Sequence, residues 1–234
     1  MQVSSRLRRV VVTSLACLVG MVAVPWLAAA PGSAQAQPQS QLQARGAASA
    51  APDQLQAFIR QVPAAAGRFV QTTHDRDGQT VARQRGEFAF ARPGRFRWQV
   101  TEPFAQLIVA NGREVVQFDP DLNQATIRPV SAAVGNAPAQ ILFGEGDIDQ
   151  AFVMAPLPDR DGLAWLRATP RSAEAGFSHL DIGLRDGLPV QVEILDAFGQ
   201  ISRIEFVTLV PSERLPDSTF VADLPPGTDV VRMP

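Results

Sequence analysis

Two short runs of alternating aromatic residues, joined by a proline-glycine pair, constrain the fold of this chain most strongly. Phe88 and Phe90 lie two residues apart in the first run, and Phe96 and Trp98 do so in the second. Because successive side chains of a β-strand point to opposite faces, each pair lines one face of its strand. Proline followed by glycine favours a tight turn between the runs. The segment therefore predicts a β-hairpin with one apolar face.

Arg92 stands at the end of the first run, directly before the proline. By strand parity it points the same way as Phe88 and Phe90, and the following proline favours extended backbone at this residue. Its side chain is therefore expected to reach over the rim of the apolar surface. An ordinary solvated arginine at a turn is the alternative.

The rest of the folded part reads as one helix followed by many strands. Leu55, Phe58, Ile59 and Val62 recur at helical spacing and predict an amphipathic helix over residues 52–65. From residue 67 onward apolar residues alternate with polar ones between turn signals, which predicts about 10–11 strands in an antiparallel sheet. The expected fold class is mainly β with helices, a curved sheet under a small helical cover.

A short apolar segment interrupts the strands between Asn136 and Gly144. An asparagine that can cap a helix and a glycine that can end it enclose Ile141, Leu142 and Phe143. Three consecutive large apolar residues cannot all face one side of so short a helix, because successive residues project about 100° apart. We expect a helical lid that contacts apolar groups on more than one side; a buried connecting turn is the alternative.

One face of the predicted sheet carries most of the aromatic residues. The chain has no tyrosine, so this face offers few hydrogen-bonding groups and suits either a cavity lining or a normally packed β core. The residues expected on it are Phe88, Phe90, Phe96, Trp98, Phe118, Trp165, Phe177 and Phe206.

The first 36 residues have the layout of a secretory signal peptide. Three arginines precede an almost uncharged apolar run, and Ala34-Gln35-Ala36 offers a cleavage site that would leave Gln37 as the new terminus. Cleavage after Ala30 and a retained membrane anchor are the alternatives. Residues 37–51 are expected to form a disordered leader, and residues 52–234 a single domain.

Charge and composition exclude several classes of function. Residues 37–234 contain 18 arginines, no lysine and 23 acidic residues, so nucleic acid is an unexpected partner. The single cysteine, Cys17, lies in the apolar run, so the mature chain has no thiol. No metal-ligand cluster, nucleophile elbow, phosphate loop or dinucleotide fingerprint occurs. We expect a monomer that is not an enzyme and requires neither metal nor cofactor.

The order of several motifs resembles the outer-membrane lipoprotein carrier family (LolA type). The most specific parts are an Arg-Pro-x-x-Phe-x-Trp segment and a Phe-Asp-Pro-x-Leu-x-Gln segment. The matching stretches are GEF at 86–88, RPGRFRW at 92–98, NG at 111–112, FDPDLNQ at 118–124, DAFGQ at 196–200 and PGTDV at 226–230.

The resemblance implies a periplasmic carrier built as an incomplete β-barrel with a helical lid over a hydrophobic cavity. Such carriers take triacylated lipoproteins from an inner-membrane ABC transporter and pass them to an outer-membrane receptor. Arg92 matches the family's lid-latching arginine, and Phe96 matches a residue associated with cargo handover. The implied cavity residues are Phe88, Phe90, Phe96, Trp98, Phe118, Ile141, Leu142 and Phe143.

Two other interpretations are the alternatives. An outer-membrane receptor (LolB type) would share this fold but would itself be a lipoprotein, and Cys17 lacks a suitable lipobox. A periplasmic lipid-sensing domain would need only the cavity.

Overall fold

Twelve β-strands form a single sheet in the part of the chain that the computed structural model describes, residues 40–130, 148–172 and 175–233. All of these residues belong to one compact unit, Pro38–Pro234. The strands are β1 Ala64–His74, β2 Thr80–Ala91, β3 Arg95–Glu102, β4 Gln106–Asn111, β5 Glu114–Asp119, β6 Gln124–Pro129, β7 Phe152–Arg160, β8 Leu163–Pro170, β9 Phe177–Arg185, β10 Leu188–Asp196, β11 Ile201–Ser212 and β12 Asp229–Arg232.

The order of the strands across the sheet leaves it unclosed. It runs β12-β6-β5-β4-β3-β2-β1-β11-β10-β9-β8-β7, so β12 and β7 are the outer strands. Neighbours pair antiparallel except β12, which pairs with β6 in parallel. An incomplete antiparallel barrel is thus confirmed. It has twelve strands where the sequence predicted about 10–11, and its short strand β12 is parallel to its neighbour.

Helix α1 spans Ser40–Gln61, whereas the sequence predicted residues 52–65. The helix begins earlier because alanines dominate residues 47–51, and alanine has the highest helix propensity. It ends earlier because Pro63 disfavours helical backbone at Val62, and β1 begins at Ala64. Residues 40–51, which the sequence analysis assigned to a disordered leader, are therefore part of the helix.

Two short helical segments complete the described fold. Helix α2 spans Ile148–Ala151, and a 3₁₀ helix, η1, spans Asp217–Phe220. Among the residues described, no helix is long and apolar enough to cross a membrane. The segment predicted as a lid, residues 136–144, and the predicted signal peptide lie outside the described residues.

Each face of the sheet has its own hydrophobic cluster. The helix-covered face carries Phe88, Phe90, Phe96 and the buried side of α1. The opposite face carries a smaller cluster that includes Phe118 and Phe220, the last residue of η1. The sheet is therefore covered on both sides, by α1 on one and by the segment around η1 on the other.

Two arginines of β3 hold the η1 segment on the opposite face. The Nη1 atom of Arg95 lies 2.7 Å from an Asp217 carboxylate oxygen, and its guanidinium carbon lies 5.2 Å from the centre of the Phe220 ring. The Nη1 group of Arg97 donates a hydrogen bond to the Val221 carbonyl oxygen at 3.4 Å. These two arginines thus hold the η1 segment against the sheet, a structural role that no pattern in the sequence indicated.

Candidate functional site

Four of the predicted aromatic residues form the floor of the helix-covered face. Phe88, Phe90 and Phe96 are at most 3% exposed, and Trp98 is partly buried against the same cluster. Register explains their proximity, because Phe88 pairs with Trp98 and Phe90 with Phe96 across β2 and β3. The hairpin predicted from the sequence is confirmed together with its apolar face. We call this set of four rings the aromatic floor.

Further rings extend the aromatic floor onto β1 and β11. The ring centres of Phe69 and Trp98 lie 3.7 Å apart in a stacked arrangement, and those of Phe88 and Phe206 lie 5.0 Å apart. Sequence reasoning expected Phe206 here but did not name Phe69 among these residues. Its neighbours two positions away, Gly67 and Gln71, are not large apolar residues, so local alternation gave no signal for it.

A glycine lets one of these rings lie flat on the sheet. A Cβ atom on Gly67 would lie 2.8 Å from the Phe88 ring and 1.9 Å from the Thr208 carbonyl oxygen. A side chain at this position would therefore displace the ring or the neighbouring strand. Because Gly67 has no side chain, the Phe88 ring of the aromatic floor can lie close to the backbone of β1.

Helix α1 packs on the helix-covered face and contacts the aromatic floor through Phe58. Leu55 and Phe58 are 0% and 2% exposed, and the Phe58 ring meets the Phe90 ring edge to face with 6.0 Å between their centres. Full burial of such side chains contributes about 1.5–3 kcal/mol each. The apolar stripe of α1 is thus bound to the sheet mainly by removal of apolar surface from water.

Arg92 lies where α1 ends and β1 begins. Its Nε atom donates a hydrogen bond of 3.3 Å to the Val62 carbonyl oxygen, and its backbone N–H donates one of 2.8 Å to the Pro63 carbonyl oxygen. The guanidinium carbon lies 5.1 Å from the Phe90 ring centre and 5.6 Å from that of Phe58. One side chain therefore contacts both the helix and the aromatic floor.

The chemistry of this contact follows from unpaired helix carbonyls. The last carbonyl groups of a helix have no partner within it, and a cation is favoured at this end of the helix dipole. Burial lowers the pKa of Arg92 from its ordinary value to about 10, so the guanidinium remains charged at neutral pH. A charged group held among aromatic rings can stabilise the docked helix, although its burial carries a desolvation cost.

Phe118 lies away from this site, contrary to the sequence-based expectation that it shares the face. It pairs with Leu107 and Ala125 and packs with Phe220 on the opposite face. Strand parity accounts for this, because Val115, three residues earlier on β5, is the residue that faces the aromatic floor.

Trp165 also lies on the opposite face. Its ring covers Gly183, its indole N–H donates a hydrogen bond to the Arg160 carbonyl oxygen at 3.1 Å, and Leu166 beside it faces α1 instead. Phe177 packs against the helix-covered cluster, as predicted.

The three predicted lid residues, Ile141, Leu142 and Phe143, lie outside the described residues. Among the residues that are described, no group of three potential ligands is arranged to hold a metal ion. The site that the structure brings together is therefore an aromatic floor, the helix that fills it and the arginine at the helix end.

These features define the class of the protein as an unclosed antiparallel β-barrel with a helix enclosed against its apolar face. Residues 60–223 match the family described as outer membrane lipoprotein carrier protein LolA. The chain belongs to this family.

Named relatives agree with the assignment. The chain is 50% identical over 186 residues to the outer-membrane lipoprotein carrier protein of Bordetella avium, covering 80% of this chain and 89% of the relative. It is 52% identical over 186 residues to that of Bordetella pertussis, with 80% and 88% covered. Among solved structures, LolA superfamily protein NE2245 from Nitrosomonas europaea is similar with a TM-score of 0.47 and 14% identity, covering 76% of this chain and 97% of that one.

Proposed function

We propose that this protein carries lipoproteins by binding their acyl chains on the helix-covered face, in the place that α1 occupies here. The observation that carries the proposal is the Arg92 contact, in which one half-buried cation joins the end of α1 to the aromatic floor. A helix held in this way can leave without disrupting the sheet, since every strand pair is formed independently of it. Family membership supports the same function.

The need for a carrier follows from the hydrophobic effect. Transfer of an acyl chain of about 16 carbons from an apolar environment into water costs on the order of 12 kcal/mol of free energy, at about 0.8 kcal/mol per methylene. Unassisted crossing of an aqueous compartment is therefore negligibly slow. A protein that covers the chains with apolar side chains removes most of this cost.

Release without nucleotide energy requires a competitor for the acyl chains. In our proposal α1 is part of that competitor, because its apolar stripe and the cargo need the same surface. Arg92 sets the strength of the competition, since hydrogen bonds to charged groups contribute about 1.5–3 kcal/mol. The predicted lid residues Ile141, Leu142 and Phe143 would act together with α1.

The proposed route places the mature protein in the periplasm after removal of residues 1–36. There it would receive triacylated lipoproteins from an inner-membrane ABC transporter and deliver them to an outer-membrane receptor. The protein would act as a monomer, because one chain supplies the whole apolar face.

Native mass spectrometry of the mature protein with a triacylated lipoprotein tests this proposal. We expect a one-to-one complex that is absent when the acyl chains have been removed enzymatically from the same lipoprotein. Equal binding of the deacylated lipoprotein, or no complex with either form, would contradict the proposal.

A further inference from the structure

Three large apolar side chains are more exposed than any other large hydrophobic residue described. Phe104 and Phe198 are 74% exposed and Leu122 is 70% exposed, whereas the next, Val210, reaches 62%. A single exposed apolar residue is common on protein surfaces, but a group in related positions indicates an interaction surface.

The three residues lie in hairpin turns at the same end of the sheet. Across the sheet, the strands in the order β6-β5-β4-β3-β2-β1-β11-β10 pair antiparallel, so neighbouring strands run in opposite directions. The turns that follow β1, β3, β5 and β10 therefore all fall at one end of the sheet. Each turn is two strands from the next, a spacing of about 10 Å along the sheet. We call these four turns the hairpin rim: residues 75–79, 103–105 with Phe104, 120–123 with Leu122, and 197–200 with Phe198.

Side-chain hydrogen bonds fix the backbone of the hairpin rim. The Oδ1 atom of Asp196 accepts a hydrogen bond from the Phe198 N–H at 2.8 Å, and that of Asp119 accepts one from the Leu122 N–H at 3.2 Å. Asp75 holds its own turn by the same means. The Nε group of Arg76 donates to the Phe198 carbonyl oxygen and connects two of the turns. Two of the three apolar tips, Leu122 and Phe198, are therefore presented by turns that side-chain hydrogen bonds order.

The apolar tips stand among negative charges. One arginine, Arg76, lies within the turns, and Glu102 beside them is neutralised by Arg85, with 2.7 Å between Nη2 and Oε2. The acidic residues in the turns or directly before them are Asp75, Asp77, Asp119, Asp121 and Asp196. The hairpin rim thus combines three apolar anchors with a negative potential.

The state of α1 indicates which partner such a surface would meet. With α1 in place the aromatic floor is buried, so an empty carrier cannot be recognised through it. A partner that loads the empty carrier must first contact a surface that is exposed while α1 is docked. The hairpin rim meets this condition.

We infer that the hairpin rim docks the empty carrier onto the inner-membrane transporter that loads it, through a transporter surface with basic residues around an apolar depression. This inference rests on the proposed function. Opposite charges across an interface steer the encounter and select the partner, while the apolar tips supply buried area. Direct membrane contact is disfavoured, because the five carboxylates would meet anionic lipid head groups.

The hairpin rim is far enough from Arg92 to be tested separately. Strand β1 begins beside the Arg92 contact and ends at the hairpin rim, and its 11 residues span about 35 Å at 3.3 Å per residue. Substitutions in the turns therefore leave the contact between α1 and the aromatic floor unchanged.

The test compares binding of two variants to the detergent-solubilised, cargo-free transporter by surface plasmon resonance. The triple variant Phe104→Ser, Leu122→Ser, Phe198→Ser is expected to bind at least ten-fold more weakly than the unaltered protein. The control, Val207→Ser with Val210→Ser, removes two exposed side chains of β11 outside the hairpin rim and should bind with unaltered affinity. Thermal unfolding should be the same for all three proteins.

The charge component has its own variant. Asp77→Asn with Asp121→Asn removes two carboxylates without touching the turn-forming Asp75 and Asp119. We expect this variant to bind about three-fold more weakly than the unaltered protein. Its affinity should also fall less when the salt concentration is raised, because fewer attractive charges remain for salt to screen.

Three results would overturn the inference. They are unaltered affinity of the triple variant for the transporter, absence of transporter binding by the unaltered protein, and Phe104-dependent sedimentation with phosphatidylethanolamine–phosphatidylglycerol vesicles in place of transporter binding. The proposed function is assessed separately, by the acyl-dependent complex in native mass spectrometry. The triple variant should still form that complex, so failure of the docking surface and failure of the carrier function give different results.

Discussion

At the scale of single residues, we propose that Arg92 determines how firmly α1 is held. Its half-buried guanidinium lies near two aromatic rings at the end of the helix, and burial lowers its pKa to about 10. Because burial of the charge offsets much of what its contacts contribute, the net effect on folding is modest. Its effect on the balance between docked and displaced α1 is larger, since only the docked form has the contact.

We therefore expect Arg92→Leu to fold normally and to retain cargo about ten- to hundred-fold more strongly, roughly the equivalent of one charged hydrogen bond. The measurement is transfer of a bound lipoprotein from the carrier to purified outer-membrane receptor. The matched control is Arg95→Leu, which removes an arginine from the neighbouring strand but on the opposite face. Unaltered transfer by the Arg92 variant would contradict its role as a latch.

His179 gives the stability of the sheet a dependence on pH. Its pKa is lowered, first by burial and then by the positive charge of Arg167, with Asp181 partly opposing the shift. In the folded state His179 therefore binds a proton at lower pH than in the unfolded chain. Stability must then fall as pH decreases through the range below about 6.5, the ordinary value for histidine.

The test is urea denaturation at pH 7.5 and pH 5.5. We expect His179→Gln to lose less stability than the unaltered protein between these two values. An identical loss in both proteins would show that other groups account for the pH dependence.

At the scale of elements, α1 and η1 cover opposite faces with similar buried rings. Phe58 of α1 and Phe220 of η1 are each 2% exposed. Truncation of a buried phenylalanine to alanine costs about 3–5 kcal/mol. The two residues thus provide a pair of substitutions with similar cost on different faces.

We expect Phe58→Ala to bind lipoprotein more tightly, because the weakened α1 competes less for the aromatic floor. Phe220→Ala should lose comparable stability and keep the unaltered affinity. Titration followed by native mass spectrometry measures both. A gain in affinity by the Phe220 variant as well would indicate that general destabilisation, and not the competition by α1, is responsible.

Strand patterns and the position of the Arg92 side chain could be predicted from the sequence because they depend on local rules. Alternation placed Phe88, Phe90, Phe96 and Trp98 on one face, and the proline after Arg92 placed its side chain at the rim. Phe118 could not be placed in the same way, because parity within β5 does not say which of its faces meets α1. That choice is fixed by pairing with β4 and β6.

The surface that α1 covers was the second feature that could not be predicted from the sequence. The spacing of Leu55 and Phe58 predicted an apolar stripe in need of a partner, but the surface it covers depends on the order of strands. The cation–π contact between Arg95 and Phe220 joins residues far apart in the chain, so no local sequence pattern predicts it.

At the scale of the whole molecule, cargo binding should change the exposure of α1 and leave the sheet intact. We expect backbone amides of residues 51–61 to exchange hydrogen faster in the lipoprotein complex, since displaced helices lose their protection. Amides of β1 should remain as protected as in the empty protein. Hydrogen exchange followed by mass spectrometry measures both segments at once, and unchanged exchange in α1 would contradict its displacement.

The position of β1 between β2 and β11 has a consequence for how the chain becomes folded. Phe69 pairs with Phe206, so the centre of the sheet joins residues near the two ends of the folded part. Such contacts have a high contact order and form slowly, because a long loop must close before they contribute. The central pairing cannot form until β11 is available. Along the export route we propose, in which the N-terminus would emerge first, the central pairing can therefore form only after β11 has left the export channel.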